Sequence, residues 1–266
     1  MSGHSKWSTI KRQKGVADIK RGQTFTKVAN AITLAVKLSG SGDPNSNPRL
    51  RTVLDEAREV NMPKDNIQRA VDRGLGKLPG QSIEEVTYEG FGPGKTAFFI
   101  EGVTDNKLRT LQEIKNLFER AGGSLGGSGS TAYLFIPKGE IRALSKGGSS
   151  EDEMLELIDL GAEDVEDYME PLDSFDKAQD KSAQGHDIQK YLVYTPSSEL
   201  NTMGNKITQV GYRVESQELV MKPIILQPIN DKETAQKAVE FTERLEENDD
   251  IQKVYTNFDI EESLIT

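Results

Sequence analysis

The stretch Thr96-Ala97-Phe98-Phe99-Ile100-Glu101-Gly102-Val103 lies where the apolar residues change from a helical repeat toward a repeat of two. Together with Val86-Thr87-Tyr88-Glu89 before it, it predicts a β-hairpin whose turn runs from Gly90 to Lys95. The apolar pattern that follows predicts a helix over 106–121, then a glycine-rich loop and a strand over 132–136. The hairpin is therefore the first element of an α/β region and separates this region from the preceding segment of helical pattern.

The same alternation of strands and helices continues to the end of the chain. A strand over 224–228, a helix over 231–247 capped by Asp231 and a strand over 254–260 complete the first set. Between the two halves of this set, the patterns predict strands over 139–144, 163–168, 190–195 and 212–220, and helices over 150–160 and 197–209. The second set has the order βαββαβ, which predicts two ferredoxin-like α/β sandwich units, one inserted in the other.

The residues before the hairpin are helical in pattern. Helices are predicted over 22–38 and 49–61, and a third helix begins after Pro63. Gly74, Gly76, Pro79 and Gly80 form a linker. The predicted fold class is a multidomain α+β protein with three domains: residues 1–78, residues 79–137 with 222–266, and residues 138–221.

The charges divide unevenly along the 266 residues, although the formal net charge of the whole chain is −10. Residues 1–78 carry 15 basic and 7 acidic side chains, a net charge of +8, which leaves −18 for residues 79–266. A basic domain on an acidic protein predicts a polyanionic partner, and nucleic acid is the first candidate because bound cations release counterions from phosphates. The alternative is that the basic domain docks on the protein's own acidic part, and both can operate together as autoinhibition.

Composition argues against several classes of protein. The chain has no cysteine, which excludes disulfides and thiolate metal sites. No stretch approaches 18 apolar residues, so we expect a soluble, cytoplasmic protein with no membrane partner. The two histidines, His4 and His186, are far apart, and the acids between 163 and 187 lack the pattern of a calcium loop. We expect no catalytic residue, no metal and no cofactor.

Two glycine-containing segments resemble phosphate loops only in part. Gly94-Lys95-Thr96 ends like a Walker A motif, but Glu89 occupies the position of its first glycine and the segment joins two strands. The loop over 122–129 follows a helix and precedes a strand, whereas phosphate-binding loops usually run from strand to helix. We interpret this loop as a flexible connection, with a backbone approach to nucleic acid as the alternative.

The N-terminal arm combines cations with hydroxyl groups and with Trp7, the only tryptophan. Such a segment suits contacts to phosphates together with stacking on an exposed base. For Trp7, a hydrophobic anchor that pins the arm to the helices is an equal alternative. The residues predicted to bind nucleic acid are His4, Ser5, Lys6, Trp7, Lys11, Arg12, Lys14, Lys20, Arg21, Lys27, Arg49, Arg51 and Lys64.

Several long motifs closely resemble the YebC/PmpR family: GHSKW (3–7), KRGQTFTK (20–27), GDPNSNPRLR (42–51), NMPKDNIQRA (61–70), YEGFGPG (88–94) and TDNKLRT (104–110). The resemblance spans essentially the whole chain and implies three domains and a non-enzymatic role. Members of this family are described as DNA-binding regulators and as ribosome-associated translation factors, and they include the mitochondrial translational activator of cytochrome c oxidase subunit I. The chain departs from the usual pattern at Ile19 and Leu108, and neither position is a cation.

These observations lead to one preferred function and two alternatives. The preferred function is a nucleic-acid-binding regulator that acts on ribosomal RNA or the ribosome as a translation factor. The first alternative is a DNA-binding transcriptional regulator that uses the same basic domain. The second alternative is an adaptor whose acidic part binds a basic protein. The oligomeric state stays open.

Overall fold

The computed structural model describes residues 21–78, 82–170, 188–261 and 264. The α-helices in this part of the chain are α1 (Arg21–Ser39), α2 (Pro48–Glu59), α3 (Lys64–Gly74), α4 (Lys107–Arg120), α5 (Ser150–Asp159), α6 (Leu200–Gln209) and α7 (Lys232–Glu246). The strands are β1 (Glu84–Phe91), β2 (Ala97–Thr104), β3 (Ser124–Leu125), β4 (Phe135–Leu144), β5 (Asp164–Glu170), β6 (Ile188–Pro196), β7 (Arg213–Pro223), β8 (Gln227–Ile229), β9 (Ile251–Thr256) and β10 (Phe258–Ile260).

The described residues divide into two compact units. Unit I contains residues 21–78, 82–133 and 227–258, which include the three N-terminal helices and the first sheet. Unit II contains residues 134–170, 188–226 and 259–261. The multidomain α+β class predicted from the sequence is confirmed, while the exact domain boundaries stay predictions.

Helix α1 forms the core of the helical part of unit I. Its residues Val28, Ile32 and Val36 are buried against Leu50 of α2 and Ala70 of α3. Helix α3 approaches α1 closely at Gly74, where an added Cβ would lie 2.6 Å from the carbonyl oxygen of Thr33. No side chain larger than hydrogen fits at this position without moving one of the two helices.

The segment between α1 and α2 is a structural turn. The side chain of Asn47, which is only 2% exposed, caps α2 by accepting a hydrogen bond from the backbone N–H of Leu50 at 3.0 Å. Its Nδ2 group lies 3.0 Å from the carbonyl oxygen of Ala35 and 3.0 Å from that of Ser41. One side chain therefore joins the end of α1 to the start of α2.

The first sheet has the strand order β3-β1-β2-β9, and all its neighbouring strands are antiparallel. β1 and β2 form the predicted hairpin, with Glu84 opposite Thr104 and Phe91 opposite Ala97. Helices α4 and α7 contribute Phe118 and Phe241 to the core, and the ring centroids of these residues lie 4.8 Å apart at 74°. Phe98 of β2 lies 4.9 Å from the ring of Phe241, so an aromatic cluster joins both helices to the sheet.

The second sheet, in unit II, has the strand order β5-β6-β4-β7. Its chain order β4-α5-β5-β6-α6-β7 is the predicted βαββαβ connection. Ile141, Tyr191 and Val193 of the strands form its core with Leu157 of α5 and Met203 of α6. Both helices therefore pack on the same face of this sheet.

The predicted strand over 132–136 is wrong. Residues Ala132–Leu134 form a 3₁₀ turn, and the residues that follow belong to the ten-residue strand β4 of the second sheet. The fourth strand of the first sheet is instead the two-residue strand β3, which lies in the predicted glycine-rich loop. β4 continues through Pro137 because its pairing with β6 begins one residue later, at Lys138, so the missing N–H breaks no bond on that side.

Other element boundaries differ by smaller amounts. The predicted strand over 254–260 is divided into β9 and β10, and the predicted strand over 224–228 is the shorter β8. The predicted helix over 197–209 begins as a 3₁₀ turn, Ser197–Glu199, before α6. Asp231 caps α7 as predicted, by accepting a hydrogen bond from the backbone N–H of Thr234 at 2.8 Å.

A buried carboxylate joins three elements of unit I. Asp250, which is 8% exposed, accepts hydrogen bonds from Thr110 at 2.6 Å, from Arg109 at 2.7 Å and from Thr104 at 3.0 Å. Its backbone carbonyl also accepts from the N–H of Val103 at 2.7 Å. The end of β2, the start of α4 and the residue before β9 thus meet at one side chain. Burial alone would raise the pKa of Asp250, but the hydrogen bonds from Thr110, Arg109 and Thr104 hold it below its ordinary value.

We expect Asp250→Asn to lower the free energy of unfolding at neutral pH by about 1–3 kcal/mol, since it weakens a buried, charge-assisted set of hydrogen bonds. The folded-state pKa lies below the unfolded value of about 3.9. The contribution of the carboxylate is therefore present above about pH 4 and is lost as the pH falls through the lowered pKa. Urea unfolding should be measured across this pH range. The difference in the free energy of unfolding between variant and wild type should become smaller in acid.

The neighbouring exposed residue provides the control. Asp249→Asn removes the same charge one residue away, at an exposed position, and should leave stability nearly unchanged. Two results would contradict this account of Asp250. One is an equal loss of unfolding free energy in the two variants, and the other is a loss in Asp250→Asn that does not depend on pH.

Candidate nucleic-acid interface

The structure places only part of the predicted interface. His4, Ser5, Lys6, Trp7, Lys11, Arg12, Lys14 and Lys20 lie outside the described residues, and Arg21 is described only as the first residue of α1. The described side chains from the predicted set are those of Lys27, Arg49, Arg51 and Lys64, and all four belong to unit I. The sequence prediction can therefore be compared with geometry at these four positions.

Lys27 contacts the end of a helix from the C-terminal part of the chain. Its Nζ donates a hydrogen bond to the carbonyl oxygen of Glu246, the last residue of α7, at 2.5 Å. Gln23, one turn earlier on α1, donates to the carbonyl oxygen of Glu247 at 3.1 Å. The C-terminal end of a helix carries partial negative charge, so the ammonium group is well placed there. Lys27 has a structural role in holding α1 against α7.

Arg49 and Arg51 also have partners within unit I. Arg49 forms an exposed ion pair with Glu85 of β1, with 2.5 Å between Nη2 and Oε1. Arg51 donates through Nη2 to the carbonyl oxygen of Pro44 at 3.1 Å, which closes the turn before α2. Because both side chains are exposed, these contacts are weak and can exchange with a ligand.

Lys37, near the end of α1, joins the helical part of unit I to its sheet. Its Nζ donates to the hydroxyl oxygen of Ser82 at 2.6 Å and to the carbonyl oxygen of Ile83 at 2.7 Å. Ile83 itself is buried in a small cluster with Leu34 of α1 and Val103 of β2. Lys37 therefore fixes the segment immediately before β1 against α1.

Lys64 and Arg69 differ from the other cations of the three helices. Arg58, Arg73 and Lys77 form ion pairs with Asp55, Asp105 and Asp72 respectively. Within the described part of the chain, Lys64 and Arg69 are exposed, and neither has a hydrogen bond or an ion pair. Both lie on α3, whose apolar residues Ile67, Ala70 and Val71 face the core. Their side chains are available to a ligand.

Arg69 was not among the residues predicted from the sequence. Its position could have been inferred, because the apolar residues of α3 recur at helical spacing and leave Arg69 on the opposite side of the helix. The short connection between α2 and α3 contains Asn61 in the left-handed region, at φ 55°. Asparagine tolerates this conformation better than most residues. It allows a connection of only four residues, 60–63, between α2 and α3.

The glycine-rich loop over 122–129 is held by a carboxylate of the protein. Glu89 of β1, which is 5% exposed, accepts hydrogen bonds at 2.7 Å from each of the backbone N–H groups of Gly129, Thr131 and Ala132. Burial alone would raise the pKa of Glu89, but these backbone hydrogen bonds lower it, so the carboxylate stays charged. The amides at the end of the loop are thus already occupied. Glu89 fixes this end of a loop that the sequence suggested to be flexible.

Gly94-Lys95-Thr96 belongs to the turn of the hairpin, as predicted. Pro93–Lys95 form a 3₁₀ turn between β1 and β2, and Gly94 and Lys95 have φ values of 69° and 60°. In the described part of the chain, no group of three or more His, Cys, Asp or Glu side chains could hold a metal ion. Likewise, no helix there is both long and apolar enough to cross a membrane.

The fold and the charges define a class of protein with an N-terminal basic helical domain followed by two α/β sandwich units. Residues 5–77 match the family model for the TACO1/YebC protein N-terminal domain, and residues 83–258 match the model for the TACO1/YebC second and third domain. The chain belongs to the TACO1/YebC family.

Similar proteins cover the full length of the chain. A probable transcriptional regulatory protein of Sulfurihydrogenibium sp. is 43% identical over 266 residues, which are 100% of this chain and 98% of that protein. Another, of Chlorobaculum tepidum, is 43% identical over 267 residues, with the same coverage. The crystal structure of a conserved hypothetical protein from Aquifex aeolicus is 38% identical with a TM-score of 0.79, and covers 97% of this chain and 98% of that one.

We expect the double substitution Lys64→Ala and Arg69→Ala to weaken binding to a mixed-sequence oligonucleotide. The plot of log affinity against log salt should become shallower by about 1–2, since each lost phosphate contact lowers the slope by roughly 0.9. The matched control is Arg58→Ala with Lys77→Ala, which removes the same charge from side chains that have acidic partners. An equal loss in both double variants would mean that α3 does not contact the ligand specifically.

Proposed function

We propose that this protein is a non-enzymatic regulator of gene expression that binds nucleic acid through residues 1–78. The observation that carries this proposal is the division of charge, +8 in residues 1–78 and −18 in the rest of the chain. The names of its relatives, probable transcriptional regulatory proteins, agree with a role in gene expression.

The arm before α1, residues 1–20, has a net charge of +4, which is half of the +8 of residues 1–78. Residues 1–20 contain Lys6, Lys11, Arg12, Lys14 and Lys20 against the single acid Asp18. In contrast, most described cations of the three helices have partners in unit I, and Lys64 and Arg69 are the exceptions. The helices therefore act as a platform, and the arm and α3 make the contacts to phosphates.

Structured RNA is the preferred ligand, and a translation factor acting on ribosomal RNA in the cytoplasm is the preferred role. An arm with one tryptophan suits unpaired bases, which can stack on its indole ring, whereas bases in duplex DNA are already stacked. The charge of −18 on the remaining residues also opposes long contact with a duplex. The second candidate is a DNA-binding transcriptional regulator, which the printed names of the relatives favour.

Charge reversal in the arm tests the proposal. Lys11→Glu, Arg12→Glu and Lys14→Glu together should abolish binding to both RNA and DNA, since the phosphates then meet repulsion. The thermal unfolding midpoint should hardly change, because exposed charges contribute little to stability. A matched control reverses three exposed cations outside residues 1–78: Lys115, Arg120 and Lys232. If the control lost binding to the same extent, the net charge of the protein, and not the position of the cations in the arm, would explain the loss. This result would contradict the proposal.

Trp7→Ala separates the two candidate ligands. If stacking contributes, this substitution should cost about 1–3 kcal/mol of binding free energy for a stem-loop RNA, and much less for a DNA duplex of equal length. Both affinities would be measured by titration at the same salt concentration. A loss on the duplex that equals or exceeds the loss on the RNA would favour the transcriptional role.

A further inference from the structure

Helix α5 of unit II has apolar residues on two of its sides. Met154 and Leu157 pack into the core of the second sheet. Leu155 and Ile158 lie outside that core and are 60% and 47% exposed. Residues three positions apart are neighbours on the surface of a helix, so these two side chains form one apolar patch that faces water.

The other helix of unit II shows that the fold does not require such a patch. A helix that packs on one side of a sheet normally presents polar side chains to water. The exposed residues of α6 follow this rule, since all of them are polar: Asn201, Thr202, Asn205, Lys206, Thr208 and Gln209. An exposed apolar patch with a polar rim is typical of an interaction site, which is how we interpret the patch on α5.

Carboxylates surround the patch. Residues 150–170 contain ten acidic side chains and no basic one. The exposed acids of α5 are Glu151, Asp152 and Asp159, and each lies three or four positions from Leu155, which places it beside that side chain on the helix. We call the surface formed by these three acids, Leu155 and Ile158 the outer face of α5.

Lysines of unit II pair with acids beside this face and not with those on it. Lys146 pairs with Glu156 of α5 at 2.5 Å. Lys138 of β4 pairs with Glu163, which follows α5. Both lysines are thus engaged with acids that are not part of the outer face.

Two acids of the outer face carry charge without a partner. Within the described residues, the side chains of Glu151 and Asp159 are exposed, and neither has a hydrogen bond or an ion pair. Glu151 lies in the first turn of α5, where the positive end of the helix favours a carboxylate. Asp159 lies at the opposite end, where the helix disfavours it, and the last turn has no basic residue. Stability of the helix therefore does not explain Asp159.

We propose that the outer face of α5 binds a basic, amphipathic segment of another protein. The Lys and Arg side chains of such a segment pair with the carboxylates of the face. Its apolar side chains bury Leu155 and Ile158, as in complexes in which an amphipathic segment docks on an apolar surface. The acids select the partner by charge, and the apolar pair supplies the contact that remains when salt screens the charges.

Charge argues against two other occupants of this face. A second copy of the chain, bound through the same face, would place ten acidic side chains against another ten, and like charges repel. Nucleic acid would meet the same repulsion through its phosphates. A basic protein segment has the complementary charge.

This inference goes beyond the proposed function and does not depend on it. Unit II would bind a protein, whereas the proposed interface for nucleic acid lies in residues 1–78. Basic segments are common in proteins that bind nucleic acid. A partner of this kind suits a regulator that acts at a nucleic acid to which other proteins are also bound.

A synthetic peptide provides the probe. It has about 15 residues, with leucine at positions i, i+3 and i+7 and lysine at most other positions, so that it can form an amphipathic helix. We expect it to bind the full-length protein, as measured by the fluorescence anisotropy of a labelled peptide. Leu155→Ala with Ile158→Ala should lower the affinity by about tenfold or more, since the variant loses buried apolar contact.

Unit I offers a matched control for the apolar pair. Leu108 and Leu111 of α4 are also three positions apart and are 79% and 42% exposed. Their helix carries four basic and two acidic side chains, so it lacks the negative charge of α5. Leu108→Ala with Leu111→Ala should therefore bind the peptide as wild type does.

A second pair of variants tests the contribution of charge. Glu151→Gln with Asp159→Asn should lower the affinity by about twofold to tenfold and should weaken its dependence on salt. The control Glu243→Gln with Asp249→Asn removes the same charge from exposed positions of unit I and should leave the affinity unchanged. All four double variants alter exposed side chains, so their thermal unfolding midpoints should match that of the wild type.

Several results would overturn the inference. Equal affinity for a peptide with alanine in place of leucine would mean that charge alone causes binding. Unchanged affinity in the Leu155/Ile158 variant would assign the peptide to another surface. Self-association of the wild type that this variant abolishes would make a second copy the occupant. Tighter peptide binding by the variant Lys11→Glu, Arg12→Glu and Lys14→Glu would make the arm of this chain the occupant. The expected peptide results together with no binding of RNA or DNA would contradict the proposed function and support this inference.

Discussion

A buried carboxylate must be compensated by hydrogen bonds or by a cation, and this requirement organises each part of the protein. In unit I, Glu89 binds three backbone N–H groups at the end of the glycine-rich loop, and Asp250 joins β2 and α4 to the segment before β9. In unit II, Glu153 accepts from the backbone N–H groups of Gly148 at 2.8 Å and of Lys146 at 3.0 Å. Each carboxylate fixes a connection that apolar packing alone would leave loose.

The helical part of unit I uses its cations in two ways. Lys27 and Lys37 bind backbone carbonyl groups and attach α1 to elements that follow much later in the chain. Lys64 and Arg69 take part in no such contact in the described residues and project from α3. A positive net charge is thus not equivalent to a positive binding surface, because part of the charge holds the domain to the acidic part of the protein.

The distribution of charge also connects the architecture to the proposed function. The net charge of −18 on residues 79–266 lowers the attraction of the whole protein for a polyanion. The basic arm confines the remaining attraction to the N-terminal domain.

Apolar repeats and composition are sufficient to predict the three N-terminal helices, the β1–β2 hairpin, the βαββαβ order of unit II and the uneven division of charge. Each of these depends on residues close together in the chain, or on counts that need no structure. The misassigned strand over 132–136 shows the limit, since local pattern cannot tell which sheet a strand will join. The roles of individual cations also cannot be predicted from the sequence alone, because their partners are distant along the chain. Lys27 meets the carbonyl of Glu246 across 219 positions of sequence. Glu140 lies opposite Glu218 because β4 and β7 pair in one register. Contacts of this kind form only when distant segments pack, so tertiary structure alone decides which charges serve the fold and which remain for a partner.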